Sequence, residues 1–213
     1  MRLVVACLAF CALMQGVTVD SLAIAVGSTV ITELQIDEDL RVAALLNGQP
    51  VVRDVEARRA AADRLVGQLL IQHEIEISRY PLPSAEEVDT LYASVEKTMG
   101  GAERLKELLE KYSVTQQTLR AHLMAQLSTL RFIEFRFRPD VNVSDSDIEA
   151  VYQRELTQMH DADPTVQLPI LDASKKAQLS ERLEEERTDA ALNSWLAESR
   201  KQVNIRYIDT SLQ

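Results

Sequence analysis

Glycine and proline, the residues that end helices, fall in a few clumps along this chain: Gly48 with Pro50, Pro81 with Pro83, Gly100 with Gly101, Pro139, then Pro164 and Pro169. The long intervals between them carry apolar residues at helical spacing, so they read as helices. No glycine follows Gly101, which leaves the second half of the chain with few tight left-handed turns. No internal repeat or low-complexity tract interrupts this organisation. The pattern predicts a mainly α fold.

Capping signals place the helix starts. Thr32 with Gln35 and Ser84 with Glu87 are capping boxes, Thr115 caps a further helix, Ser144 with Asp147 starts another and Asp172 opens the last. The first helix carries Ile36, Leu40, Ala43 and Ala44 to a stop at Asn47-Gly48. The second runs from about Val52 to Arg79, with Val55, Ala62, Leu65, Val66, Leu69, Leu70, His73 and Ile77 recurring at helical spacing. The third buries Val88, Leu91, Tyr92 and Val95, and the fourth carries Leu105, Leu108, Leu109 and Tyr112. The fifth presents Leu119, Leu123, Leu127 and Leu130 and runs into Phe132–Pro139, where the proline forces an extended passage through Val141 and Val143. The sixth holds Ile148, Val151, Tyr152 and Leu156. Thr157 to Leu171 loses the pattern and reads as a loop, and the last helix carries Leu179, Leu183, Ala190, Ala191, Trp195 and Leu196.

Strands are expected only at the ends. Leu22–Val26, the pair Gly27-Ser28, and Thr29–Ile31 read as a strand, a two-residue turn and a second extended piece. Val203–Ile208 alternates as a strand does. A lone terminal strand needs a partner, so the two chain ends are predicted to meet in a small sheet.

The first residues read as an export leader. Met1 and Arg2 precede twelve residues, Leu3 to Met14, without a charge. That length suits a secretory signal core and falls short of the roughly 20 apolar residues that cross a bilayer, which makes membrane anchoring by an uncleaved leader the lesser reading. Cleavage near Gly16 is favoured over the small-x-small site at Ala23-Ile24-Ala25, because the later cut deletes the first strand. Phe10 before Cys11 fits a lipoprotein site poorly. Both cysteines, Cys7 and Cys11, fall in the leader, so the mature chain has no thiol for a disulfide, a metal or a nucleophile. An exported, thiol-free chain points to a bacterial envelope compartment, and a periplasmic location is expected. The 33 acids against 23 bases, a net charge of −10, argue against nucleic acid and anionic membrane surfaces as partners.

Catalytic signals are weak. His73-Glu74 lacks the second histidine of a zinc-protease helix, and His73 reads as a packed core residue. His160-Asp161-Ala162-Asp163 stands in the predicted loop with no second cluster to complete a metal site. No phosphate loop, dinucleotide fingerprint or nucleophile elbow occurs, so no catalytic residue, metal or cofactor and no small-molecule substrate is assigned. Phe132, Phe135 and Phe137 interleave with Arg131, Arg136 and Arg138 near a helix end. They serve either as core anchors with arginine stems snorkelling or as a patch that contacts polypeptide. On the second reading the candidate peptide-binding residues are Met124, Leu127, Phe132, Phe135 and Phe137. Scattered Met99, Met124 and Met159 fit gap-filling or an adaptable surface.

Four passages together resemble SurA and related periplasmic foldases, the SurA N-terminal domain family within the SurA, PrsA and trigger-factor group. They are VGSTVITELQIDEDLR, RLVGQLLIQHEIEISRYPLPSAEEV, YSVTQQTLRAHLMAQLSTLRFIEFRFRPDVNVSDSDIEAVY and ALNSWLAESRKQVNIRYID. The resemblance covers nearly the whole mature chain, and FRFRPDVNVSDSDI is its most characteristic passage. It implies a multi-helix chaperone domain whose N- and C-terminal strands share a small sheet. The family normally inserts one or two parvulin-type prolyl isomerase domains before the terminal helix. Here the 15 residues from Thr157 to Leu171 stand in that place, against the roughly 50 an independent domain needs.

The expected organisation is therefore a leader at 1–16, a helical chaperone core at 17–156, a loop at 157–171 and a C-terminal helix and strand at 172–213 packing back on the core. The resemblance implies an ATP-independent holdase for unfolded exported or outer-membrane polypeptides, without isomerase activity. An envelope module dedicated to a single protein partner is the alternative.

Overall fold

The sparse glycines and prolines bound seven helices among the described residues of a computed structural model, which describes residues 20–167 and 169–213. They are α1 (Glu33–Asn47), α2 (Val55–Ser78), α3 (Ala85–Thr98), α4 (Ala102–Tyr112), α5 (Gln116–Arg136), α6 (Asp145–Ala162) and α7 (Ala173–Gln202). Three short strands, β1 (Leu22–Val26), β2 (Thr29–Thr32) and β3 (Ile205–Tyr207), form one antiparallel sheet in the order β2-β1-β3. The fold is mainly α, and the two chain ends meet in the sheet as predicted. The expected leader at 1–16, its cleavage site and both cysteines lie outside the described residues. No described helix is long and apolar enough to cross a membrane.

Both predicted capping boxes form, and Ser144 with Asp147 makes a third. The side chains of Thr32, Ser84 and Ser144 accept from the backbone of Gln35, Glu87 and Asp147, whose side chains accept in return. The two hydrogen bonds from Ser144, with Arg187 beside them, hold the Asp147 carboxyl down at about 2. Gly48 ends α1 at φ 63, where a Cβ is costly. Gly27 takes φ 58 at the first position of the β1–β2 turn while Ser28 keeps a negative φ, the sign pattern of a II′ hairpin.

Several boundaries differ from expectation. Helix α2 starts at Val55 because Asp54, not a residue near Val52, supplies the cap by accepting from Ala57 N–H at 2.8 Å. The expected loop at 157–171 is overturned at its start: α6 continues to Ala162, since nothing before Pro164 breaks it, and Asp163 turns extended ahead of that proline. The connection between α6 and α7 is thus shorter still. Pro139 sits in a single 3₁₀ turn, Arg138–Asp140, before the extended residues that follow. Strand β3 is three residues long because Val203 N–H still bonds the end of α7, and Ile208 N–H donates to Ala23 O as the chain turns away.

Four apolar clusters hold these elements. Ile24, Ile31 and Ile36 pack against Ala62, Val66 and Leu70 of α2. The other face of α1, through Val42 and Leu45, packs against α3, α4 and α5 at Val88, Leu105 and Leu119. Ile71 and Ile75 close on Phe132, Phe137 and Trp195. Ile148, Tyr152, Leu179 and Leu183 form a separate cluster between α6 and the first half of α7, an antiparallel arm with its own core. Each fully buried leucine or isoleucine here is worth about 1.5–3 kcal/mol of transfer free energy. The buried face of α2 also departs from the predicted one: Ile71 and Ile75 are buried, while Val55, His73 and Ile77 are exposed. Serving clusters on two sides, α2 buries a broader and rotated face than a single stripe predicts.

Candidate functional site

A groove of about 640 Å³ lies between α2 and α5, with β2 at one end and the Leu82-Pro83 connection at the other. Leu65, Leu69, Ile71 and Ile75 of α2 form an apolar wall. The facing wall is shallow-sided because α5 presents Ala121, Ala125 and Ser128 on one face, with Met124 between them. Ser128 Oγ donates to Met124 O at 2.8 Å, so its hydroxyl is already occupied within the helix.

The rim is polar and nearly neutral. Gln35, Gln68, Gln72 and Thr129 supply amides and a hydroxyl, and Glu76 is the one charged side chain in the lining. Gln72 Nε2 donates to Glu76 Oε1 at 3.1 Å. At one end Arg131 Nη1 donates to Leu82 O at 2.7 Å and its guanidinium pairs with Glu87, fastening the Leu82-Pro83 connection to α5. Hydrogen bonds from Ser84, with Arg131 beside them, hold the Glu87 carboxyl below its usual range.

Of the five candidate peptide-binding residues, Met124 lines this groove. Leu127 is half-buried against the α3–α4 cluster. Phe132 is 0% exposed and Phe137 is buried, stacked edge-on at a ring separation of 5.5 Å, with Trp195 5.1 Å from Phe132. These two are core anchors, so the aromatic patch does not exist as a surface. Phe135 is 54% exposed, outside the groove lining. The arginines between them are engaged locally: Arg136 lies over the Phe137 ring and Arg138 pairs with Glu134 at 3.1 Å.

The groove residues that sequence reasoning missed are mostly on α2. Helical spacing puts Leu65 and Leu69 on its core face, and their half-buried state is what opens them to the groove. The small-residue face Ala121, Ala125, Ser128 is the signal in α5 that marks a depression. His73 is exposed at the rim of a second cavity of about 320 Å³ by the hairpin turn, rather than packed in the core.

Titratable groups meet elsewhere at the α1–α2–α5 junction. The buried Asp39 carboxylate pairs with Arg64 at 2.5 Å, and burial pushes the nearby His122 imidazole below its ordinary value. Asp39 opposes that depression and Arg64 adds to it. Among the described residues, no group of three or more His, Cys, Asp or Glu stands in position to hold a metal. Neither a family model nor a curated protein matches the chain.

Proposed function

We propose that this chain is a periplasmic, ATP-independent holdase that covers apolar stretches of unfolded exported polypeptides, outer-membrane proteins among them, without prolyl isomerase activity. The observation that carries the reading is the α2–α5 groove: an apolar wall several side chains long under a rim of amides and hydroxyls, with Glu76 as the one charged side chain in the lining. Such a surface recognises apolar side chains without demanding a particular sequence.

The energetics suit transient holding. A few client side chains at about 1.5–3 kcal/mol each, less the cost of ordering a flexible chain, leave weak affinity and ready release. No nucleotide is then needed for turnover. The chain's net charge of −10 keeps a complex with an apolar client dispersed. The SurA-like passages support the same assignment, and the short α6–α7 connection stands where that family carries its isomerase.

Light scattering tests the proposal directly. Mature protein, from residue 17 onward, is expected to slow aggregation of a denatured outer-membrane porin diluted from urea, in proportion to its concentration. An unchanged aggregation rate at several-fold molar excess overturns it. Capture of one stoichiometric envelope protein, with no effect on the porin, favours the dedicated partner module instead.

A further inference from the structure

The groove ends on an open sheet edge. Gly27 N–H bonds Asn204 O and Ile208 N–H bonds Ala23 O, so the backbone groups of Ala25, midway between, point to β3 and those of Ile24 and Val26 point to β2. In β2, Thr29 and Ile31 therefore face β1, and the N–H and C=O of Val30 point off the other side. No described strand pairs with that side. Thr29, Val30 and Ile31 all line the groove, and Val30 is 41% exposed.

We propose that an unfolded client segment docks here in extended form, adding to the sheet as a strand beside β2 through Val30 and lowering alternate side chains into the groove between α2 and α5. The inference rests on the holding function proposed above and specifies how the client is held. Strand addition supplies backbone bonds that every sequence can make, while the groove selects apolar residues at every second position.

The edge is built to accept a partner. Its four residues, Thr29-Val30-Ile31-Thr32, include three β-branched types and no charge or proline, the devices that usually blunt an edge. The irregularity in the hairpin falls between Leu22 and Ile24, on the inner strand, and Thr32 N–H is held by Gln35 Oε1 at 2.9 Å, so Val30 is the residue through which the edge pairs. Charge selects the occupant. Glu76 is the one ionised group in the lining and the chain carries −10, so the fit is an uncharged or basic segment. A second copy of this acidic chain is disfavoured on the same ground.

An eight-residue labelled peptide alternating valine and threonine, with a terminal lysine, tests this by fluorescence anisotropy on the mature chain. In a strand the valine N–H groups point to one edge and the threonine N–H groups to the other. N-methylation of one set is therefore expected to weaken binding about tenfold, and of the other set little. Val30→Pro, with an unchanged far-UV circular dichroism spectrum, is expected to lose a similar factor, since an edge tolerates proline but cannot then donate. Equal sensitivity to both methylation patterns, or to neither, overturns strand docking. So does stronger competition by an amphipathic helical peptide, or a dimer that Val30→Pro dissociates. If porin aggregation is still suppressed in those cases, the holding function stands and the strand mode alone fails. If the wild-type chain neither binds the peptide nor slows aggregation, the holding function itself fails.

Discussion

Arg131 in α5 reaches the backbone carbonyl of Leu82 at 2.7 Å while its guanidinium also pairs with Glu87, the partner of Ser84 in the α3 capping box. One side chain thus ties the end of the groove to the start of the next helix. Leu82 is largely exposed and has little packing of its own, so this contact fixes where the groove stops.

Arg131→Ala is expected to release the Leu82-Pro83 connection. The carbonyl bond contributes on the order of 1 kcal/mol, so the urea midpoint should fall modestly while peptide affinity falls several-fold. Arg131→Lys keeps the charge but not the two-pronged reach, and should recover only part of the affinity. An unchanged affinity in Arg131→Ala separates the connection from the groove's function.

Phe132→Ala is expected to destabilise the chain by about 3–5 kcal/mol, because a fully buried ring in contact with Tyr80, Phe137 and Trp195 leaves a cavity. Phe135→Ala, three residues away on the solvent face, should shift stability by less than about 0.5 kcal/mol. Urea unfolding of the two variants side by side checks the assignment of the aromatic segment to the core.

That contrast shows what the sequence makes legible and what it does not. Helix starts at Thr32, Ser84, Thr115, Ser144 and Asp172 are local events between residues three apart, and each was readable. The meeting of the chain ends followed from the need of Val203–Ile208 for a partner. The groove was not readable in the same way. Whether Leu65 and Leu69 face a core or a cleft depends on how closely α5 approaches α2, and the spacing of Phe132, Phe135 and Phe137 cannot say which ring meets Trp195. Burial on two sides of α2 is a tertiary property, which is why helical spacing turns His73 and Ile77 inward while the fold turns both outward.

His122 gives the fold a pH dependence in a defined window. Burial favours its neutral form in the folded chain, whereas in the unfolded chain it titrates near 6.5. Below about pH 6.5 the unfolded state therefore binds a proton that the folded state resists, and stability falls as pH drops toward the depressed folded value. Asp39 and Arg64 are the charged groups that act on it, with opposite signs. Urea midpoints measured from pH 7.5 to 5 should decline for the wild type and flatten for His122→Gln. A parallel decline in both would assign the effect to other groups.

The arm formed by α6 and the first half of α7 is expected to unfold on its own. Its cluster of Ile148, Tyr152, Leu179 and Leu183 is separate from the other three, and Tyr152 closes its tip by donating to Pro169 O at 2.7 Å. Arg187 bonds Asn142 O and pairs with Asp147 at 2.9 Å at its base, where α6 begins. Leu179→Ala removes a fully buried side chain at a local cost of about 2–5 kcal/mol. A core this small has little stability in reserve, so that cost should open the arm while the clusters around α1, α2 and α5 stay intact. Hydrogen exchange should then accelerate across α6 and the first half of α7, with α2 and α5 protected as before. Porin holding should persist in this variant, because the groove takes none of its lining from α6 or α7. Faster exchange spread evenly over all seven helices would instead make the arm and the body one cooperative unit.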